Sequence, residues 1–234
     1  MVSIVIPTLN EAAFLSDTLA CIRSNPVPHE VVVVDGGSSD ATVRIAEAAK
    51  CRVLRTAEPH RAKQMNLGST NTQGTVLLFL HADTLIPSEG LHAIETALKD
   101  ERVVGGGFRR RYLNASPFLR FTCAMADWRS RWLGWHFGDQ GIFIRRATFE
   151  ALDGFRELRV FEDLDLCRRM KKAGRVAGLK PQVLSSARRF AKRGAIFTTL
   201  ADLWLTCRYL AGTHPDRLAA SAASKPQMGT DAHR

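Results

Sequence analysis

Carboxylates are in short supply in this chain. Against 33 Lys and Arg stand 23 Asp and Glu, for a formal net charge of +10 and a pI near 9.9. An excess of that size predicts an anionic partner: nucleic acid, an anionic membrane surface, or a phosphate-bearing small molecule. The basic residues concentrate from Arg109 onward, in Arg109-Arg110-Arg111, Arg145-Arg146, Arg168-Arg169, Lys171-Lys172 and Arg188-Arg189. Several of these pairs sit beside apolar helix positions and read as solvated faces. Cysteine is sparse too. The five cysteines (Cys21, Cys51, Cys123, Cys167 and Cys207) are scattered, odd in number and free of any CxxC pair. That argues against a disulfide frame or a zinc site and predicts reduced thiols in a cytoplasmic protein. No run of about 20 uninterrupted apolar residues is present to span a bilayer. The nearest approach, residues 195–211, is broken by Asp202 and Arg208. The opening VSIVIP lacks a basic leader, which predicts no signal peptide. There is no GxGxxG fingerprint, so a dinucleotide cofactor is not indicated.

What the chain does have is a strand–helix alternation. Its 234 residues suffice for one large α/β domain, and 45% apolar with 24% charged content is ordinary for a globular fold. Residues 2–6 read as a strand that stops at Pro7. Leu15, Leu19 and Ile22 then follow helical spacing. Strands over 30–34, 52–54 and 75–80 alternate with helices after Ser38-Ser39-Asp40, over 62–69 and over 89–98. Such alternation predicts a mostly parallel, doubly wound sheet with a small antiparallel part. The second half is less regular. A strand over 103–112 carries three glycines suited to close backbone approach, an aromatic helix covers 118–132, a short strand covers 141–144, and a helix runs over 162–173. We expect a single domain over 1–218, divided into a nucleotide-binding half (about 1–100), an acceptor-binding half (about 101–190) and a C-terminal helix (about 195–211). Residues 219–234 lack periodicity and read as a disordered tail.

Two apolar strands run straight into an aspartate: VVVVDGGSSD delivers Asp35 and TVLLFLHADT delivers Asp83. The carboxyl ends of parallel strands are where open α/β sheets bind ligands. Glycines after Asp35 leave its carboxylate free for a ligand, although an Asx-turn also accounts for the pattern. In Pro7-Thr8-Leu9-Asn10-Glu11, polar groups open a helix after a strand, where they serve either a ligand or the helix cap. Arg61, Lys63, Gln64 and Asn66 place cations and amides at the start of another helix, facing phosphate or solvent. In His81-Ala82-Asp83 the acid can hold Mg²⁺ or Mn²⁺, hard ions that neutralise a diphosphate, or can cap the next turn. Glu162-Asp163 opens a helix, either as stabilising first-turn acids or as a general base. Asp139 and Gln140 could add a polar wall for an acceptor.

In order and spacing, IVIPTLNE, VVVVDGGSSDAT, RAKQMNLG, LLFLHADT, GDQGIFIRR and FEDLDLCRR resemble the family 2 glycosyltransferases of GT-A fold, over about residues 2–180. WRSRWLG, SSARRF and LWLTCRYLAGTHPDRL extend the likeness to a bacterial subgroup labelled arsenosugar-biosynthesis glycosyltransferases. The resemblance implies an inverting, metal-assisted transfer from a UDP- or GDP-sugar to a hydroxyl acceptor, with Mn²⁺ or Mg²⁺ as cofactor. It puts Pro7, Thr8, Glu11 and Asp35 on the nucleoside, and Arg61, Gln64 and Asn66 near the ribose and diphosphate. His81, Ala82 and Asp83 take the place of the DXD motif, with Asp83 as metal ligand. Asp163 becomes the catalytic base, and Glu162, Asp139 and Gln140 line the acceptor side. Three features depart from the pattern or narrow it. His81 replaces the first Asp of DXD. No histidine lies between His136 and His214, where many relatives supply one, and Lys192 and Arg193 are the cations on offer for the leaving diphosphate. No QxxRW motif is present, which argues against a processive synthase. The competing reading is a basic binding protein on the same scaffold, docking on a membrane through residues 196–210 at the inner face or, less in keeping with the absence of a recognition module, on nucleic acid. A nucleotidyltransferase would need a Gly- and Arg-rich loop that IVIPTLNE lacks.

Overall fold

The structure, a computed structural model, describes residues 1–113 and 115–223, with side chains through 220. The first half is the expected alternation. Strands β1 (Val2–Thr8), β2 (His29–Asp35), β3 (Arg52–Arg55) and β4 (Val76–Phe79) lie parallel, joined through helices α1 (Ala12–Arg23), α2 (Thr42–Ala48) and α3 (Arg61–Thr70). Side chains alternate across a strand, so each strand feeds two cores. Ile4, Ile6, Val33 and Leu78 pack with Leu15, Leu19 and Ile22 of α1 on one face. Val5, Val32, Val34 and Leu77 pack with Ala62 and Met65 of α3 on the other. Both faces being covered is why these strands are continuously apolar.

Pro7 does not end β1, which runs on to Thr8. The Leu80 N–H donates to Val5 O on the β4 side, and the Gly36 N–H donates to Thr8 O on the β2 side. By alternation the polar side of Pro7 faces β4, whose pairing with β1 has already stopped at Phe79 opposite Val5. The missing N–H therefore costs no ladder bond.

The chain continues through β5 (Thr84–Leu85), α4 (Gly90–Ala97), β6 (Val103–Tyr112), α5 (Pro117–Leu133), a 3₁₀ turn at Gly138–Gln140, β7 (Ile142–Arg145), α6 (Arg146–Ala151), α7 (Glu162–Ala173), β8 (Arg175–Ser185), α8 (Arg188–Arg193), α9 (Ala195–Leu210) and α10 (Pro215–Ala223). All strands join one eight-stranded mixed sheet, ordered β3-β2-β1-β4-β7-β6-β8-β5. The pairs β4–β7, β7–β6 and β8–β5 are antiparallel, and β6–β8 is parallel. Residues 219–223 belong to α10 and are helical rather than tail. The rest of the expected tail, 224–234, lies outside the described residues.

Several basic pairs expected on solvated faces instead staple loops together. Arg145 donates to the carbonyls of Leu98, Asp100 and Val103, and Arg146 to those of Ser69 and Gly74. Arg169 ties Asp165 to the carbonyls of Leu152 and Gly154. The three glycines of β6 allow the expected close approach, since a Cβ on Gly106 would collide with the Ala177 carbonyl of β8. Gly106→Ala should therefore lower stability by about 1–3 kcal/mol through overpacking, read as a fall in thermal midpoint. An unchanged midpoint would show that β6 and β8 can part locally.

Candidate active site

Thr8 and Asp35 end neighbouring strands and are cross-strand partners. Both are buried, at 2% and 1% exposure. The Asp35 carboxylate accepts from the backbone N–H groups of Gly37 and Ser38 at 3.0 and 2.9 Å, from the Ser38 hydroxyl, and from Thr8 Oγ1 at 3.2 Å. This is the Asx-turn arrangement, and it holds the β2–α2 loop. Asn10, in the left-handed region at φ 54°, laces that loop to the β1–α1 loop by accepting from the Ser39 N–H while its own N–H donates to Ser38 Oγ. The two loops form one rigid floor at the carboxyl edge of the sheet.

Next along the edge stand His81, Ala82 and Asp83. Ala82 is core, and its carbonyl accepts from Thr18. His81 lies against the 3₁₀ turn so closely that a Cβ on Gly138 would collide with its Nε2. That nitrogen is buried with no hydrogen-bond partner. Burial, and then the nearby Arg61 cation, push the imidazole pKa down to about 3, so His81 is neutral. Asp83 faces Arg188 of α8, with Nε to Oδ2 at 3.3 Å. The same guanidinium grips both carboxylate oxygens of Glu11 at 2.6 and 2.7 Å and lies over the Phe14 ring. Burial raises the Asp83 pKa while Arg188 pulls it back.

The third part comes from α7. Asp163 Oδ2 accepts from the Gly138 N–H at 2.8 Å and Oδ1 from the Leu164 N–H at 2.7 Å. Glu162 beside it is buried at 3% exposure and receives Arg61 at 3.0 Å. Burial and then the Glu162 charge push the Asp163 pKa up to about 7, against the pull of the Gly138 N–H and Arg61. Arg61, His81, Gly138, Glu162 and Asp163 line one small pocket. Phe161, the residue before this helix, sits in the left-handed region at φ 65°, unusual for an aromatic residue, and stacks on Tyr209 of α9 with ring centroids 4.8 Å apart.

The edge thus gathers Thr8, Glu11, Asp35, Arg61, His81, Asp83, Glu162 and Asp163. The other expected residues are engaged within the scaffold. Pro7 is a strand residue. Gln64 donates to Thr8 O and Val34 O, pinning β1 to β2. Asn66 makes a reciprocal pair with the Phe155 backbone. Gln140 corrects the acceptor-wall expectation. It is fully buried, donates to Phe108 O and Ser130 Oγ, and accepts from Phe137 N and Arg129. Asp139 is ion-paired to the buried Arg110 and accepts from the Tyr112 hydroxyl. Lys192 and Arg193 are exposed, and the cation that reaches the edge is Arg188 instead. Its signal was the SSARRF segment, where only the position nearest the strand can fold back on Asp83.

The donor set does not fit a resident divalent ion. Among the described residues no three His, Cys, Asp or Glu side chains converge to hold one. The Asp83 oxygen and both Glu11 oxygens face a guanidinium, and His81 Nε2 is sealed against Gly138.

Strand-end acids and a buried acid gathered at the carboxyl edge of a partly parallel sheet match a known pattern. The family described as Glycosyl transferase family 2 matches residues 3–151. The chain belongs to this family. It is 31% identical over 183 residues to a PGL/p-HBAD biosynthesis glycosyltransferase of Mycobacterium tuberculosis, covering 70% of this chain and 67% of that relative. A mannosyltransferase from Pyrobaculum calidifontis in complex with GDP-Man and Mn²⁺ superposes with a TM-score of 0.71 at 21% identity, over 94% of this chain and 68% of that one. S. aureus TarS 1–349 in complex with UDP-GlcNAc gives 0.65 at 21% identity, over 79% of this chain. This family 2 glycosyltransferase spans 58% of that structure. The fold is GT-A, and the family makes the protein a glycosyltransferase. No helix among the described residues is long and apolar enough to cross a membrane.

The raised Asp163 pKa has a stability cost. A folded-state pKa above the unfolded value (about 3.9) contributes stability that is complete below that value and is lost as pH rises through about 7. The thermal midpoint of Asp163→Asn relative to the wild type should therefore rise from pH 5 to pH 8, on top of a constant loss from the one backbone N–H that an amide cannot accept. A gap independent of pH would mean that Asp163 ionises normally.

Proposed function

We propose that the chain is an inverting, non-processive glycosyltransferase that uses a UDP- or GDP-sugar and a hydroxyl acceptor, with Asp163 as the base. The observation that carries this is the Asp163 carboxylate, desolvated, titrating near neutrality and held by the Gly138 N–H inside the pocket at the sheet edge. A general base works best when its pKa lies near the working pH. In the step, the acceptor O–H proton passes to Asp163. The acceptor oxygen bonds to the anomeric carbon, and the bond from that carbon to the diphosphate breaks with its electron pair leaving on phosphate. Attack opposite the leaving group inverts the centre. Thr8, Asp35 and the laced loops form the floor for the nucleoside, Glu11 and Asp83 border the diphosphate, Arg61 lies between diphosphate and base, and Glu162 holds Arg61. Mn²⁺ or Mg²⁺, expected from the resemblance, has Asp83 as its one candidate ligand here, and no step is assigned to it.

A second reading concerns where the acceptor lies. Apart from Met1 and Leu9, every large hydrophobic residue that is exposed among the described residues falls on Leu113, α5 or α9. On α5, Phe121, Met125, Trp128 and Trp132 recur at helical spacing on one face, and α9 buries only Thr198. With Arg120, Arg131, Lys192 and Arg193 on the same two segments and α8, the surface suits an anionic bilayer. We propose that the acceptor is reached at such a surface, on the cytoplasmic side.

Asp163→Asn should lower turnover by about 10²–10⁴-fold with nucleoside diphosphate affinity unchanged, and the wild-type kcat/KM should rise with pH to a plateau above about 7. Near-normal turnover of the variant removes Asp163 as base. In liposome sedimentation, Trp128→Glu combined with Trp204→Glu should abolish partitioning onto anionic vesicles. Equal partitioning of variant and wild type discards the membrane reading.

A further inference from the structure

The pairing of β5 with β8 sets up an arrangement around Arg188. Thr84 lies opposite Ser185, their hydroxyls are 3.1 Å apart, and the Ser186 N–H donates to Asp83 O. The chain leaving β8 is thereby fixed against the residue that ends the β4 loop, and α8 starts two residues later at Arg188. The guanidinium uses its fork on Glu11 and its Nε on Asp83. It is not sealed there, since the side chain keeps 40% exposure while Glu11 and Asp83 keep 16% and 14%. Nor is α8 held by this contact alone. Phe190 packs edge-on against Tyr112 at 5.1 Å, and Arg189 pairs with Asp202 of α9.

A diphosphate brought to this edge meets two carboxylates, and like charges at such range repel unless a cation stands between them. Two arginines stand at this edge. Arg61 pairs with the buried Glu162 through one nitrogen and keeps 52% exposure, but it stands on the Glu162–Asp163 side, away from Glu11 and Asp83. Arg188 is half-exposed and sits on the two acids that a diphosphate must approach. Its planar fork matches phosphate oxygens as well as it matches a carboxylate. A divalent ion would have to take Asp83 from this same guanidinium.

We propose that Arg188 is the diphosphate-binding cation of this enzyme and fills the role that a divalent metal ion was expected to play. In the structure it rests on Glu11 and Asp83. When the donor arrives, Arg188 turns its fork toward the phosphates, staying close enough to both acids to screen them. During transfer it stabilises the charge that accumulates on the leaving diphosphate. This rests on the glycosyltransferase reading above.

The test is calorimetric titration of UDP, GDP, uridine and guanosine into the wild type, Arg188→Gln, Arg188→Lys and the control Arg189→Gln, each in EDTA and in Mn²⁺. The wild type should bind one of the two diphosphates in EDTA, with Mn²⁺ changing its affinity less than about threefold. Arg188→Gln should lose about tenfold to a hundredfold of that affinity, the worth of a charge-assisted pair, with nucleoside affinity unchanged. Arg188→Lys should recover part of the loss, and Arg189→Gln should match the wild type. Diphosphate binding that needs Mn²⁺ in the wild type, or is untouched in Arg188→Gln, overturns the proposal while leaving the transferase reading in place. Failure of the wild type to bind either diphosphate in both conditions overturns both. Should Arg188→Gln fail to fold, the wild-type comparison between EDTA and Mn²⁺ decides alone.

Discussion

The antiparallel pairing of Thr84 and Leu85 with Ser185 and Leu184 is two residues long, yet the site depends on it. It joins the loop after β4 to β8, the last strand of the sheet in chain order. Because β8 also runs parallel to β6 along its length, the position of Asp83 is set by the whole sheet rather than by its own loop. Glu11, Asp83 and Arg188 come from residues up to 177 positions apart in sequence, and this clasp is what makes them neighbours. The turn that presents Gly138 to Asp163 is tied into the same clasp, since Ser185 donates to Asp139 O.

The first half of the fold could be read from the sequence because its strands are buried on both faces, and continuous apolar runs leave little choice of element. The strand over Val103–Tyr112 was equally legible. What escaped was β8. GRVAGLKPQVLSS has neither alternation nor a clean apolar run, and Pro181 lies where the register with β6 slips, Phe108 facing Leu179 and Arg109 facing Gln182. A bulge of that kind absorbs a proline that a regular ladder would reject. Missing β8 meant missing the route by which Arg188 reaches Asp83. The acids of the site were legible singly, as strand ends and a helix start. Their partners were not, because hydrogen bonds such as Gln64 to Val34 O or Asn66 to Phe155 join segments that the sequence does not show as adjacent.

The positive charge of the chain also takes on a different meaning in three dimensions. Arg145, Arg146 and Arg169 spend much of their hydrogen-bonding capacity on backbone carbonyls of loops, a task lysine does less well with its single compact ammonium. Arg110 and Arg129 brace the Gly138–Gln140 turn from below. The excess of cations is therefore partly a structural material and only partly a surface for anions. Of the cations that do face outward, Arg120, Arg131, Lys192 and Arg193 lie on α5 and α8, and others such as Arg44, Lys50, Lys99 and Lys171 are spread over the rest of the surface.

Phe161 joins the start of α7, where Asp163 lies, to the C-terminal helices. Its left-handed backbone conformation costs of order 1–2 kcal/mol, and the stack on Tyr209 is what holds the ring there. Helix α9 buries little of itself, so it belongs to the least stable part of the molecule. If α9 frays on warming, Phe161 is free to relax and the first turn of α7 shifts with it, while the sheet is still intact. Heat would then silence the enzyme before it unfolds, and the two events would be separated in temperature by the looseness of a helix that touches none of the reacting groups.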